Sequence, residues 1–497
     1  MGIDLGAGSL KATIITNTGD VAGEASQPVT THIPHPGWSE QDPEEWLYAL
    51  RTAIPAALAS AGIRASAIAG IGLSAGAHIP VLTDATGAVL RPAIMWSDQR
   101  AAREAAALHE KAGAEIIRTG LNRINPTWTL AMLAWLAEHE PQTIARTHRL
   151  YLAKDFLRHA LTGTWETDFS DAIGTLMADN ATRDWSPTLC ALINWNPATL
   201  PPINPATAIA GAVTANAAAA AGLAPGTPVI TGANDTTVEL FGAGAITPGM
   251  ATVKLATAAV LSVATIGPRV EPPISCYPHI IPGMYYTATG TNSCASAHRW
   301  LRDTAFPGRT FAEMDALAAT IPPGAGGLIF HPYLQGERAP YWDPNLRADF
   351  LGLTISHTPA HLARALYEGI AFSIQDLITA SPDQTLSTIR LLGGGAVSPT
   401  WRQIIADVTG LIIEHPDSSD ASFGAALLAG LGTGVFASLQ TAITTCVRLA
   451  DTTTPNAQTQ EYYKELFKIY KTAQAALTEV NHRLSSLPSW PERPSTT

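Results

Sequence analysis

The chain has 497 residues, with 30 Lys+Arg against 41 Asp+Glu and a net charge of −11. Its 46% apolar and 14% charged residues exclude a disordered chain and, at this length, predict about two to four globular domains. The acidic balance argues against nucleic acid or an anionic membrane as the main partner.

No basic region followed by an apolar run occupies Met1 to Lys11, so no secretory signal is expected and the reading is cytoplasmic. Cys190, Cys276, Cys294 and Cys446 are scattered without a CxxC, which predicts reduced core thiols. Gly2 to Ile15 reads as two short strands around a turn. Its core, Asp4-Leu5-Gly6-Ala7-Gly8-Ser9-Leu10-Lys11, puts an acid at a strand end before a run of small residues. Small residues let backbone N–H groups approach phosphate oxygens, Asp4 can hold Mg2+ through its waters, and Lys11 adds a positive charge. The GK[ST] ending of a P-loop is absent, and an ordinary strand-to-glycine turn fits equally well. The chain begins three residues before Asp4, so a short or trimmed first strand is expected.

A further strand is predicted over Val21 to Val29. Asp42, Pro43 and the spacing of Trp46, Leu47, Leu50, Ile54 and Leu58 predict a helix over 43–62, and Ile68 to Leu73 reads as a buried strand. Alternating strands and helices continue to about residue 240, which is an α/β pattern. His78, after Ala77, fits a loop or core histidine as well as a catalytic one. The cluster Trp96-Ser97-Asp98-Gln99-Arg100 suits polyol recognition, or a surface ion pair worth little. Pro228 to Gly242 reads as a buried strand delivering Asn234 and Asp235 to a helix start, where either can be a cap and where the helix dipole steadies a carboxylate. The uncharged stretches Thr207 to Asn234 and Ala421 to Val447 are broken by Gly and Pro, and read as buried pieces, not membrane spans.

A second unit opens near Thr247. Met250 to Val263 again gives strand, small-residue turn (Ala256-Thr257-Ala258-Ala259) and strand, suggesting two related halves with a cleft between them. Gly393-Gly394-Gly395-Ala396 follows a predicted strand (Thr388 to Leu392) and precedes a helical pattern. Such a junction admits a flat ring or a phosphate, or is a tight turn. Tyr463, Leu466, Tyr470, Ala473, Leu477, Val480 and Leu484 form a helical stripe. The expected division is 1–246, 247–455, a docking helix 456–485 and a loose tail 486–497.

In order, these motifs resemble the FGGY carbohydrate kinases, of the actin/Hsp70/sugar-kinase (ribonuclease H-like) fold class. The resemblance rests on Asp4-Leu5-Gly6 with Lys11, the His78 loop, Arg91 to Arg100, Lys154-Asp155-Phe156-Leu157-Arg158, and Thr167 to Ala172. It continues through Tyr333-Leu334-Gln335-Gly336-Glu337-Arg338-Ala339-Pro340-Tyr341-Trp342-Asp343-Pro344. Ala348 to Leu353, seven residues, then His361 to Glu368 is its most specific part, and Gly393 to Ala396 with Gln403, Ala406 and Asp407 completes it.

The resemblance implies a two-domain fold, ATP and Mg2+ as cofactors, a sugar as the small-molecule partner, and phosphorylation of a sugar hydroxyl. It makes Asp235 the general base and places Asp4 by the metal. It assigns Gly6, Ala7, Gly8, Ser9, Lys11, Ala256 and Thr257 to the phosphates, and Gly393, Gly394, Gly395, Ala396 and Gln403 to the nucleotide. Ala77, His78, Asp98, Asn234 and Asp235 become the sugar contacts. Among members, those acting on D-xylulose look most alike, giving D-xylulose 5-phosphate; ribulose, gluconate, a deoxy-ketose, or a non-catalytic regulator are the alternatives. The chain departs from the pattern: Ala7 and Ala258 lack hydroxyls, Ala256 replaces a Gly, Met132 replaces a Lys, and Thr236-Thr237-Val238-Glu239 differ after Asp235. The helical stripes fit a monomer or a homodimer.

Overall fold

The computed structural model describes residues 1–382 and 386–487. The chain forms two compact units, each described by itself. The first comprises Met1–Pro248, Val263–Ala288 and Pro416–Arg448; the second comprises Gly249–Ser262, Thr289–His415 and the chain from Leu449 onward. Of the expected second domain 247–455, the stretches 263–288 and 416–448 group with the first unit. The expected loose tail lies almost wholly outside the described residues.

In the first unit the strand Gly2–Leu5 pairs antiparallel with Ser9–Ile15 and parallel with Gly72–Ala75. Val21–Pro28 closes the other edge of this sheet. The buried strand expected at 68–73 forms later, at Gly72–Ala75, because Ile68 follows a 3-10 turn at Ala65–Ala67 and the Gly70 carbonyl accepts from the Met1 ammonium (2.9 Å). The helix Pro43–Ala61 is capped by the Asp42 side chain and ends at Gly62 in the left-handed region, and it turns Trp46, Leu50, Ile54 and Leu58 into the core.

The reason 416–448 returns to this unit is the helix Ala421–Gly432. It is apolar on almost every side, and Ala421 through Ala429 are all buried, so it must be enclosed. Glycines let backbones approach there. A Cβ on Gly2 would lie 1.9 Å from the Ser422 carbonyl oxygen, one on Gly72 2.3 Å from that of Ala425, and one on Gly424 1.9 Å from that of Val238. The last contact seats the helix Asp235–Gly242 directly on Ala421–Gly432. Gly424→Val should therefore lower stability by about 1–3 kcal/mol through forced backbone displacement, read as a lower thermal midpoint. An unchanged midpoint would show that this packing is not tight.

In the second unit Ala251–Leu255, Thr388–Leu392 and Ile412–Pro416 pair in parallel, in that order. The helix Pro359–Ala380 is buried along most of its length and approaches Phe330 so closely that a Cβ on Gly369 would sit 2.1 Å from the Phe330 carbonyl oxygen. The C-terminal helix Ala457–Ser485 buries Tyr463, Leu466, Tyr470, Gln474 and Asn481. The expected stripe holds for its first half only: Val480 and Leu484 are 48% and 55% exposed. A straight helix at 3.6 residues per turn drifts away from a strict three-four spacing, and here the seam drifts onto Gln474 and Asn481.

Among the described residues no helix is long and apolar enough to cross a membrane. All four cysteines are free and buried; burial pushes the Cys190, Cys276 and Cys446 thiols up to about 11 and Cys294 up to about 12.

Candidate functional site

Asn234 and Asp235 divide the roles that the sequence left open. Asn234 is the N-cap of the helix Asp235–Gly242: its Oδ1 accepts from the Thr237 N–H (2.9 Å) and its Nδ2 donates to the Ser170 carbonyl (3.0 Å). Asn234 has no exposed surface, and its amide holds the helix start. Asp235 is the first helical residue and half-buried, and its Oδ1 accepts from the Thr236 N–H (2.6 Å). A carboxylate at this position is steadied by the helix N-terminus.

Beside it runs a row of rings in the first unit. His78 stacks on Trp128 (centroids 4.8 Å apart), Trp128 on Tyr277 (5.9 Å) and Tyr277 on Tyr286 (5.6 Å). The Tyr286 hydroxyl meets Thr237 Oγ1 at 3.1 Å, tying the row to the Asp235 helix. Burial drives the Tyr277 hydroxyl well above its ordinary value, with the charges of Asp235 and Asp171 adding to the effect. Burial also brings the His78 imidazole down to about 4, so it is neutral at pH 7. His78 Nδ1 and Trp128 Nε1 are both buried without a hydrogen-bond partner. Two orphaned polar ring atoms next to a carboxylate are what a polyol ligand would satisfy.

His78 itself is held in the left-handed region (φ 54°). Its N–H donates to Asp171 Oδ1 (2.7 Å), and its carbonyl accepts from the Thr129 hydroxyl (2.5 Å). Ala77 precedes it, half-buried. Behind Asp171 lies a buried ionic cluster: the Lys154 ammonium is 2.6 Å from Asp155, 3.0 Å from Asp168 and 3.5 Å from Asp171, with Arg158 on Asp155 at 2.7 Å. Burial pushes the Asp171 carboxyl up to about 7, Lys154 opposing and Asp155 and Asp168 reinforcing it. Trp128, Tyr277 and this service to His78 escaped the sequence reading. Lys154, Asp168 and Asp171 were visible there only as a family motif, and spacing gives no sign that they converge.

Asp98 departs from its expected role. It is 1% exposed. Oδ2 accepts from the Ser39 N–H (2.6 Å) and Arg100 Nη2 (2.7 Å), and Oδ1 from Arg100 N (2.8 Å) and Nε (2.9 Å). The Arg100 guanidinium lies 3.7 Å from the Trp38 ring centroid. The pair is buried, not a surface ion pair, and its donors and acceptors satisfy one another.

Asp4 ends its strand beside Ser74, whose hydroxyl donates to Asp4 Oδ1 (2.8 Å). In the following turn the carbonyls are engaged from within the unit: Ser9 O by Gly6 N (3.0 Å), Gly8 O by Val29 N (3.1 Å), and Ala7 O by Gln41 Nε2 (2.7 Å). With the Gly6 N–H spent on Ser9 O, Ala7–Ser9 have N–H groups left to offer a ligand, and no atom lies within 4 Å of a Cβ on Gly8. Such a turn beside a hydrogen-bonded carboxylate fits a magnesium-bound polyphosphate by donor chemistry. Lys11 is placed differently: its ammonium pairs with Asp420 (2.6 Å) and Glu24 (2.7 Å). Burial alone would depress it, but the two carboxylates hold it above its ordinary value. Asp420 caps Ala421–Gly432, so Lys11 secures that helix.

The second unit carries a similar turn. Ala258 O accepts from Ala256 N (3.2 Å), Ala256 O from Ala295 N (2.9 Å), and Thr257 O from Cys294 N (2.9 Å) and the Ser296 hydroxyl (2.8 Å). Again the carbonyls are engaged, so N–H groups and the Thr257 hydroxyl remain to be offered. Gly393 has φ 81°, and a Cβ there would fall 2.8 Å from the Leu255 carbonyl oxygen; Gly395 would press on Leu255 and Trp401. Those two glycines serve tight packing, and Gly394 alone opens onto free space. Ala396 is buried, its carbonyl on Arg402 Nη1 (2.7 Å). Gln403 Nε2 donates to Asp407 (2.8 Å) and to the Thr454 carbonyl (3.1 Å). Its amide nitrogen therefore braces the segment before the C-terminal helix.

Residues 1–242 match the N-terminal domain of the FGGY family of carbohydrate kinases, and residues 252–433 its C-terminal domain. A xylulose kinase from Bacillus subtilis (strain 168) is 31% identical over 491 residues, covering 98% of each chain. A glycerol kinase from Aromatoleum aromaticum is 31% identical over 462 residues, covering 88% of this chain and 91% of that one. Among solved structures, a xylulose kinase from Brucella ovis superposes with a TM-score of 0.87 at 32% identity, covering 96% of this chain and 99% of that one.

Proposed function

The chain belongs to the FGGY family of carbohydrate kinases, and on that premise we propose that it transfers the terminal phosphoryl group of ATP to D-xylulose, giving D-xylulose 5-phosphate. The observation that carries the acceptor site is the row of rings that links the orphaned His78 Nδ1 and Trp128 Nε1 to the helix opened by the half-buried Asp235. In this reading the sugar lies along the ring row, with its hydroxyls on those two ring atoms. Asp235 takes the proton of the hydroxyl that attacks phosphorus. Phosphoryl transfer has a loose transition state, so a modest base held in place suffices, and positioning supplies most of the rate. The N–H groups of Ala7–Ser9 and of Thr257 and Ala258 would hold phosphate oxygens. Mg2+, when bound with the nucleotide, neutralises phosphate charge, and Asp4 is the residue that would hold it.

A second reading keeps the mechanism and changes the acceptor. A glycerol kinase reaches the same 31% identity as a xylulose kinase, although over 88% of this chain against 98%. Identity therefore does not choose between a ketopentose and another polyol. Sugar-dependent ADP release should be measured with Mg-ATP over D-xylulose, L-xylulose, D-ribulose, L-ribulose, gluconate and glycerol. The expected result is the highest kcat/KM with D-xylulose. A higher value with any other acceptor overturns the substrate assignment and leaves the kinase reading standing; no turnover with any, from folded protein, favours a regulator.

A further inference from the structure

The turn Ala256–Ala258 has Ala258 where the family resemblance implies a hydroxyl, so its geometry depends all the more on what holds the backbone. Two of its carbonyls and both backbone groups of Ala259 are fixed by one segment, Thr291–Ser296. Ala259 N donates to the Thr291 hydroxyl (3.0 Å) and Ala259 O accepts from Thr291 N (2.9 Å), while Ala256 O and Thr257 O accept from Ala295, Cys294 and Ser296 as described. That segment is itself gripped from the other side. Glu337 Oε1 accepts from Asn292 N (2.5 Å) and from Arg338 N (2.8 Å). Arg338 Nη2 donates to the Thr291 carbonyl (2.8 Å), and Ala339 N donates to the Gly290 carbonyl (3.2 Å). A Cβ on Gly290 would lie 3.0 Å from Arg338 Nη2, so the glycine is what lets the guanidinium in.

We propose that Glu337 and Arg338 are positioning residues for nucleotide binding, holding Asn292 and Thr291 so that the Ala256–Ala258 turn keeps its amides in place for phosphate. The inference rests on reading that turn as a phosphate turn. Glu337 is 2% exposed, and its Oε2 has no partner. Burial pushes its carboxyl up to about 8, against the two backbone donors that favour the anion. A buried acid with one idle oxygen is a costly way to fill space. Its other oxygen has a specific duty, the Asn292 N–H.

The test measures Mg-ADP affinity by calorimetry without sugar, on the full chain and well below each variant's melting temperature. Glu337→Ala should weaken Mg-ADP about tenfold, whereas Glu337→Gln, which keeps an acceptor oxygen, should stay within about twofold. In turnover the KM for ATP should rise and the KM for the sugar should not. If Glu337→Ala does not fold, Arg338→Met should show the same rise in ATP KM. Thr257→Val serves as the reference for the turn itself. If Thr257→Val weakens binding and Glu337→Ala lowers only the melting temperature, the brace is overturned while the turn stands. If neither weakens binding, the phosphate-turn reading fails and the brace fails with it. Equal loss in Glu337→Gln and Glu337→Ala also overturns the proposal, because charge and not the acceptor would then be responsible.

Discussion

Asp235→Asn should lower sugar-dependent ADP release by about 10²–10⁴-fold, the usual range for removing a positioned general base. The substitution is nearly isosteric, and its amide oxygen can still accept from the Thr236 N–H that Asp235 Oδ1 now holds at 2.6 Å. Asn234, not Asp235, supplies the cap on Thr237 N, so the helix start survives. Removing a negative charge from the first turn costs about 0.3–1 kcal/mol, a small drop in melting temperature. Sugar affinity should persist, since the orphaned atoms of His78 and Trp128 are untouched. Turnover within about tenfold of the parent would exclude Asp235 as the base, because that is less than base removal ordinarily costs. Loss of sugar binding in parallel with turnover would make it a ligand contact instead.

The sequence displayed the elements of this arrangement more clearly than their convergence. Local rules were enough for the helix 43–61, where Asp42, Pro43 and Gly62 mark both ends. They were also enough for the hairpin around Gly6–Ser9, where strand periodicity is interrupted by small residues. Asn234 at the helix start was equally legible, because capping is a matter of a few neighbouring atoms. Trp128 and Tyr277 were not legible: each is an ordinary aromatic in its own segment, and only tertiary packing stacks them between His78 and Tyr286. Lys11 and Gln403 were assigned to phosphate and nucleotide by resemblance, yet their partners Asp420 and Thr454 lie far along the chain or in another element. A pairing across 409 residues leaves no trace in local spacing. The grouping of 416–448 with the first unit was not legible for the same reason, since Ala421–Gly432 is packed through glycines at 2, 72 and 424 that are individually unremarkable.

The altered turns can be weighed in the same terms. Each missing hydroxyl forfeits about 0.5–1.5 kcal/mol at most, which weakens ATP binding without abolishing it. The carbonyls of both turns are fixed by neighbours in their own unit, so the N–H groups that do most of the work on a phosphate keep their direction. That favours an enzyme with a raised ATP KM over a chain that has lost catalysis.

Lys154→Met should be the most damaging single change to stability, lowering it by about 3–5 kcal/mol, because it strands buried charge. Lys154 and Asp155 have no exposed side-chain surface, and Asp168 and Asp171 have almost none. Three carboxylates are balanced there by Lys154 and Arg158; with the lysine gone, one cation faces three acids. The sign of the pH dependence follows. Asp171 already sits near 7 in the folded chain against an ordinary 3.8, so between those values the folded state binds a proton that the unfolded state does not. Stability from this group is therefore greatest at low pH and falls as pH rises toward 7. Removing Lys154 takes away the cation that opposes the rise at Asp171, so the variant should lose most above pH 7 and recover part of the loss near pH 5. Thermal melts of parent and variant at pH 5 and pH 8 would show a larger pH difference in the variant. A loss independent of pH would mean that Lys154 contributes by packing alone. Because Asp171 holds the His78 N–H at 2.7 Å, a cluster that rearranges should also displace His78. The variant's sugar KM should then rise at pH 8 while its KM for ATP stays near the parent value.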